Sequence, residues 1–125
     1  MAGWTDDELR RIGRAEELEI AAVRRDGTRR VARPIWVARV GDGLYVRAAY
    51  GAATCWHRIA RASGQARISA GGVNTDVTVQ DADAGVLDTV DAAYREKYGR
   101  RYASIVDSIT DTDHRATTLR LMPRT

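Results

Sequence analysis

From Gln65 to Gln80 hydrophobic and polar side chains alternate almost without a break. Ala66, Ile68 and Ala70 oppose Gln65, Arg67 and Ser69; then Val73, Thr75, Val77 and Val79 oppose Asn74, Asp76, Thr78 and Gln80. Successive side chains of a pleated strand leave opposite faces, so a period of two predicts strands. Gly71-Gly72 lies between the two runs and suits a tight hairpin turn, which requires positive φ. Leu18, Ile20 and Ala22 alternate with Glu17, Glu19 and Ala21, which predicts a half-buried strand, although the same letters also fit a helix. After the Asp26-Gly27 turn signal, residues 29–33 lead into Ile35 to Val40, rich in β-branched and aromatic residues. Pro34 fits the first position of that strand. Gly41-Asp42-Gly43 supplies a hairpin loop, and Leu44 to Tyr50 returns. On the return, Leu44, Val46 and Ala48 face one way and Tyr45, Arg47 and Ala49 the other. One face is core; the other is solvent, an interface or a ligand groove. Thr117 to Met122 is a final strand, closed by Pro123.

Helical signals are fewer. Thr5 and Glu8 form a capping box, and Trp4 and Leu9 stand as a hydrophobic staple. Leu9 and Ile12 share a face, and Gly13 would end the helix in a left-handed cap after about two turns. Trp4 is therefore expected in the core. Trp56-His57-Arg58 opens a central helix. Asp81 and Asp83 precede a third, in which Leu87, Val90, Tyr94 and Tyr98 form one stripe. Gly99 is its stop, and Glu96 with Arg100 makes an i,i+4 pair. Residues 101–116 look irregular and polar. The whole predicts one domain over residues 1–125, α+β and mainly β. Its centre is a six-stranded antiparallel split β-barrel with two or three short helices. So few strands leave no interior cavity, so a ligand would bind outside the barrel or across a dimer interface.

Composition narrows the picture. Hydrophobic residues at 44% and charged residues at 30% exclude wholesale disorder. No apolar run approaches the roughly 20 residues that span a bilayer, so no membrane role is expected. The acidic start MAGWTDDELRR does not resemble a signal peptide, and the lone Cys55 suits a reducing compartment. The cytoplasm is the expected location. The net charge is +3, carried almost wholly by arginine, Lys97 being the only lysine. Arginine suits bidentate phosphate recognition, but these arginines are spread along the chain. The densest group, Arg24, Arg25, Arg29, Arg30 and Arg33, carries no interleaved aromatics and no nucleic-acid motif, so nucleic acid is not an expected partner.

Residues 33–61 hold the candidate chemistry. Two strands run into a loop with aromatic and cationic side chains, a cradle for a flat phosphorylated ligand. Trp56 either stacks on a planar ring or plugs the barrel end. Cys55 and His57 invite a thiolate–imidazole reading, but residues two apart do not face each other on a helix. His57 and His114 are too far apart in sequence for a metal site, and Asp111, Asp113 and His114 fit a polar loop equally well. Tyr94 and Tyr98 belong to the apolar stripe and are expected in the core.

Pro34, Ala48-Ala49-Tyr50-Gly51, Trp56 with His57-Arg58-Ile59, and Ala66 to Gly72 occur in an order that resembles a known pattern. The chain resembles an uncharacterised bacterial family, domain of unknown function 2255, similar to the split β-barrel superfamily. That superfamily holds flavin-binding pyridoxamine-phosphate-oxidase-like proteins and deazaflavin-dependent nitroreductases. The resemblance implies a cofactor, FMN or a deazaflavin, near Arg47, Ala49, Tyr50, Gly51, Trp56 and Arg58. It implies a homodimer with the ring at the interface, and an oxidoreductase acting on a small molecule. The alternative is a cofactor-free dimeric barrel that binds a small-molecule ligand or a protein partner.

Overall fold

The computed structural model describes residues 3–124. Seven strands form one antiparallel sheet: β1 (Leu18–Ala22), β2 (Arg33–Ile35), β3 (Val37–Val40), β4 (Gly43–Val46), β5 (Gln65–Ala70), β6 (Val73–Asp81) and β7 (Leu119–Pro123). Their spatial order is β2-β1-β5-β6-β7-β4-β3. The two edge strands, β2 and β3, are consecutive in the chain and separated only by Trp36. The sheet therefore curls until its edges are two halves of one bent strand, giving a nearly closed barrel. The six strands expected and the seven found differ only by this break.

Side chains from the third long helix hold the bend. The Trp36 ring stacks on Tyr98 at 3.9 Å between centroids and 3° between planes. The amide N–H of Val37 donates to the Tyr98 hydroxyl at 3.3 Å, and Lys97 Nζ donates to the Val37 carbonyl at 2.8 Å. The Tyr98 hydroxyl donates in turn to the Glu16 carbonyl at 2.6 Å. Backbone groups left free by a broken strand are costly unless paired, and here aromatic and amine groups pair them. Partial burial pushes the pKa of Lys97 down to about 8.

Alternate strand residues fill the barrel. Leu18, Ile20, Leu44, Val46, Ile68, Val77, Leu119 and Leu121 are all buried in one cluster. Helix α1 (Asp6–Arg14) packs against β3, β4 and β6 and contributes Leu9 and Ile12 to that cluster. Helix α2 (Cys55–Ser63) packs against β1, β5 and β6, contributing Trp56 and Ala60. Trp4 packs on the same cluster, and its indole N–H donates to the Leu121 carbonyl at 3.0 Å. A second apolar layer lies outside the wall. There Ala38 and Tyr45 meet Val90, Tyr94 and Tyr98 of α3 (Leu87–Tyr98), with Val106 and Ile109 of α4 (Ala103–Ile109).

Several local expectations are corrected. Thr5 and Glu8 do form the capping box, but α1 continues through Gly13 to Arg14. Gly13 serves close packing instead, since a Cβ there would lie 3.2 Å from the Arg39 side chain. The strand expected from Leu44 to Tyr50 stops at Val46, and residues 48–51 form a turn closed by Gly51 N–H donating to the Ala48 carbonyl at 3.0 Å. Residues 101–116 are not irregular: they fold as α4 and α5 (Thr112–Arg115). Val106 and Ile109 anchor α4, and the Asp111 carboxylate caps α5 by accepting from the His114 N–H at 2.8 Å. These additions bring the α-helices to five rather than two or three. Among the described residues no helix is long and apolar enough to cross a membrane.

The β5–β6 turn shows how tightly α1 seats. Gly71 has φ +56°, and a Cβ there would fall 2.3 Å from the Arg11 carbonyl oxygen. Gly27 has φ +89° with open space around it. Gly27→Ala should cost about 1 kcal/mol from backbone conformation alone. Gly71→Ala should cost clearly more, because a backbone atom must also move. Urea melts of the two variants check this, and equal costs would mean that α1 does not press on the turn.

Candidate functional site

A groove of about 560 Å³ runs along the outside of the barrel. One side is the bent strand, through Arg33, Pro34, Ile35 and Trp36. The other is the segment between β4 and α2, through Ala49, Tyr50 and Thr54, with Cys55 and Trp56 of the first turn of α2. Tyr94, Ile105 and Ile109 add apolar surface from α3 and α4, and Glu17 and Arg30 also line it. Its size and largely apolar, aromatic character are those of small-molecule sites.

Four of the six sequence-predicted residues meet here: Arg47, Ala49, Tyr50 and Trp56 line the groove. Gly51 and Arg58 do not. Gly51, at φ +90°, makes the turn before α2, and Arg58 sits one helical turn along, beside Cys55. Trp56 lines the groove while packing into the barrel cluster. Tyr50 is 92% exposed at the rim.

Arg47 was expected on the outer surface of the barrel, and it is only 3% exposed. Its Nε donates to Thr118 Oγ1 at 2.9 Å, Nη1 to the Ile109 carbonyl at 2.9 Å and Nη2 to the Leu87 carbonyl at 3.2 Å. Nη1 also pairs with Asp91 at 2.5 Å. Asp91 is shared with Arg115, whose Nε lies 3.0 Å from its other oxygen. Nearly all donors of Arg47 are thus spent inside the protein. The outward face of β4 looks onto α3 and α4 rather than onto solvent, which the alternation alone leaves open.

Cys55 and His57 diverge, as the helical spacing requires. His57 is buried, and its Nε2 lies 2.9 Å from the Thr117 carbonyl, which fixes Nε2 as the donor of a neutral ring. Burial lowers its pKa below the ordinary 6.5, the Thr117 bond opposing this in part. Cys55 is exposed at the first turn of α2. The Arg58 guanidinium, donating to its sulfur at 3.6 Å, together with Arg30 brings the thiol below its usual pKa. No imidazole faces the thiol. Among the described residues no group of three acidic, histidine or cysteine side chains is placed to hold a metal ion.

Sequence reasoning missed Glu17, Arg30, Trp36, Ile105 and Ile109 as groove residues. Arg30 is singled out in the sequence only as a member of a basic run, and Arg33 also as the start of the 33–61 stretch. The β1–β2 register carries Arg33 there, and the Arg30 N–H is held by the Ala22 carbonyl of β1 at 2.9 Å; no local pattern encodes either contact. Ile105 lies on a helix too short to show a period.

Two measurements follow. Replacing Arg47 by Met should cost about 3 kcal/mol, since it strands the buried acceptors and Asp91, whereas Arg58→Ala should stay within about 0.5 kcal/mol. Equal effects in chemical denaturation would contradict the tie described. For His57 the folded pKa is depressed, so its contribution is complete above about pH 6.5 and is lost as pH falls from there toward the folded value. His57→Gln keeps a donor without titrating and should flatten that part of the stability curve. An unchanged slope would show that another group titrates there.

Comparison with known proteins agrees with this architecture. The heme storage protein HutZ of Vibrio cholerae superposes with a TM-score of 0.68 at 17% identity, over 96% of this chain and 90% of that one. An F420-H2 dependent reductase, FDR-A, gives 0.62 at 12% identity, covering 86% of this chain and 93% of that one. A FAD-binding protein of Mesorhizobium loti gives 0.60 at 14%, covering 98% and 91%. At such identities the likeness is one of fold. No curated protein matches in sequence. Residues 8–121 match the family described as "Uncharacterized protein conserved in bacteria (DUF2255)", and the chain belongs to that family.

Proposed function

We propose that this protein binds a flavin-type cofactor, FMN or a deazaflavin, in the groove beside the bent strand and works as an oxidoreductase-like homodimer on a small molecule. The observation that carries this is the groove itself. It has room for a fused ring system, aromatic and aliphatic walls from Trp36, Trp56, Tyr94, Ile105 and Ile109, and arginines at its edge. Neighbours of the same fold are described as binding FAD or heme or as depending on F420-H2, which supports a ring cofactor on this scaffold.

The residues present fit such a group. Ile35, Trp36 and the Trp56 edge would hold the ring, and Ala49 leaves space beside it. A bound flavin supplies hydride or electron transfer. The chain's own residues bind and orient the ring and keep water from one face. Arg47 lines the groove but spends its donors on α3 and α4, setting their position rather than reaching outward.

Three large apolar side chains, Val31 at 75%, Tyr50 at 92% and Ile105 at 46%, are exposed. Tyr50 and Ile105 line the groove, and Val31 lies between groove residues Arg30 and Arg33 in the chain. Exposed apolar surface around a groove suits coverage by a second copy, with the ring between subunits. The same observation favours the second reading, a cofactor-free dimer in which that surface serves only protein contact or another small molecule.

Adding FMN or the deazaflavin F420 to purified protein separates the two. The first reading predicts quenching of flavin fluorescence with a micromolar or tighter dissociation constant, and a dimer by light scattering. Ile105→Glu should weaken both. A well-folded dimer that binds neither compound would sink the cofactor reading and leave the second.

A further inference from the structure

The arginines on this side of the barrel divide into two sets. Arg47, Arg61 and Arg115 all have carboxylate partners, Asp91, Asp81 and the Asp88–Asp91 pair respectively. Arg30, Arg33 and Arg58 take part in none of the ion pairs among the described residues. Arg30 and Arg33 line the groove, and Arg58 flanks it through Cys55.

Two of these cations converge. Arg58 Nη2 donates to Cys55 Sγ at 3.6 Å, and Arg30 acts on the same sulfur. A thiol is a weak acceptor, whereas a guanidinium fork matches an oxyanion with two strong bonds. The sulfur is therefore a poor substitute for the group these cations suit best. Thr54, the residue before α2, does not cap that helix with its side chain; its hydroxyl donates to the Gly51 carbonyl at 2.7 Å. The first N–H groups of α2 are thus not satisfied by a side-chain cap, and they add to the positive potential at the same corner. Glu17, the one carboxylate lining the groove, acts on Tyr98 and Tyr102 and not on the thiol.

We propose that Arg30 and Arg58 form an anion subsite at the mouth of the groove, which takes the phosphate-ester end of the groove's ligand. The subsite rests on the ring-binding reading above, and its two cations, unlike the internally committed Arg47, have no carboxylate partner among the described residues. Cys55 is hydrogen-bonded to Arg58 and lines the groove together with Arg30, so it reports on their occupancy. It is the only cysteine in the chain, so thiol labelling reads this corner alone.

Two arms test the subsite. In the first, FMN and riboflavin, which lacks the phosphate, are titrated into wild type and an Arg30→Gln/Arg58→Gln protein, with fluorescence quenching as the readout. Wild type should prefer FMN by about tenfold or more, as charge-assisted bonds to a phosphate imply. The double variant should lose that preference and keep its riboflavin affinity. In the second arm, labelling of Cys55 by neutral iodoacetamide is timed with and without inorganic pyrophosphate. An anion between the guanidiniums draws them from the sulfur and raises the thiol pKa, so labelling should slow several-fold in wild type and not in the variant. Equal FMN and riboflavin affinities in wild type, or a preference kept by the variant, would overturn the subsite and leave the ring site standing. If neither flavin binds, the proposed function fails and the pyrophosphate arm decides alone. Slowing that the variant loses then supports the subsite for another phosphate ester, and no slowing overturns it.

Discussion

A single guanidinium, that of Arg47, joins the barrel wall to the helices outside it. It leaves the end of β4 and reaches the Leu87 carbonyl and Asp91 of α3, the last residue of α4 and the Thr118 hydroxyl before β7. Four pieces of chain distant in sequence thus share one buried charge. A buried cation is tolerated only when its donors are nearly all met, which fixes the positions of its acceptors as firmly as apolar packing does. Tyr94 and Ile109, whose elements it ties down, are part of the groove wall. The shape of the candidate site is a consequence of this constraint.

The bent strand is the complementary device. Opening a strand at Trp36 frees backbone groups, and α3 answers with the Tyr98 hydroxyl and Lys97 amine while Tyr98 stacks on the displaced indole. The break closes the barrel with its own chain and turns Trp36 outward to the groove. Barrel closure, the groove wall and the placement of α3 are thus one arrangement. That explains why Lys97 stands beside Tyr98 at the end of the buried stripe of α3.

Much of this was legible in the sequence because its physics is local. The hairpin 65–80, the Pro34-led strand, the capping box at Thr5 and the apolar stripe of α3 all follow from periods and caps. Six strands in an antiparallel barrel followed from counting them, and the motif order around Trp56 led to the right family. What was not legible depended on contacts between distant elements. Alternation assigned Arg47 to the face opposite the core, correctly, but gave no sign that α3 and α4 cover that face. Arg30 is held at β1 by a backbone bond to Ala22, a contact between distant residues, and α4 was hidden because two buried residues on seven make no period. Neighbours on α2 part ways: His57 is a buried tie to Thr117, while Arg58 is in none of the ion pairs among the described residues and donates to the Cys55 sulfur.

Amide hydrogen exchange with and without saturating FMN probes the groove between the bent strand and α4 as the proposed ligand site. Binding there slows exchange in residues 30–37, 49–58 and 103–109 and leaves the β5–β6 hairpin unchanged. Protection confined to the opposite side of the barrel, or none in these three segments when FMN is bound, would contradict it.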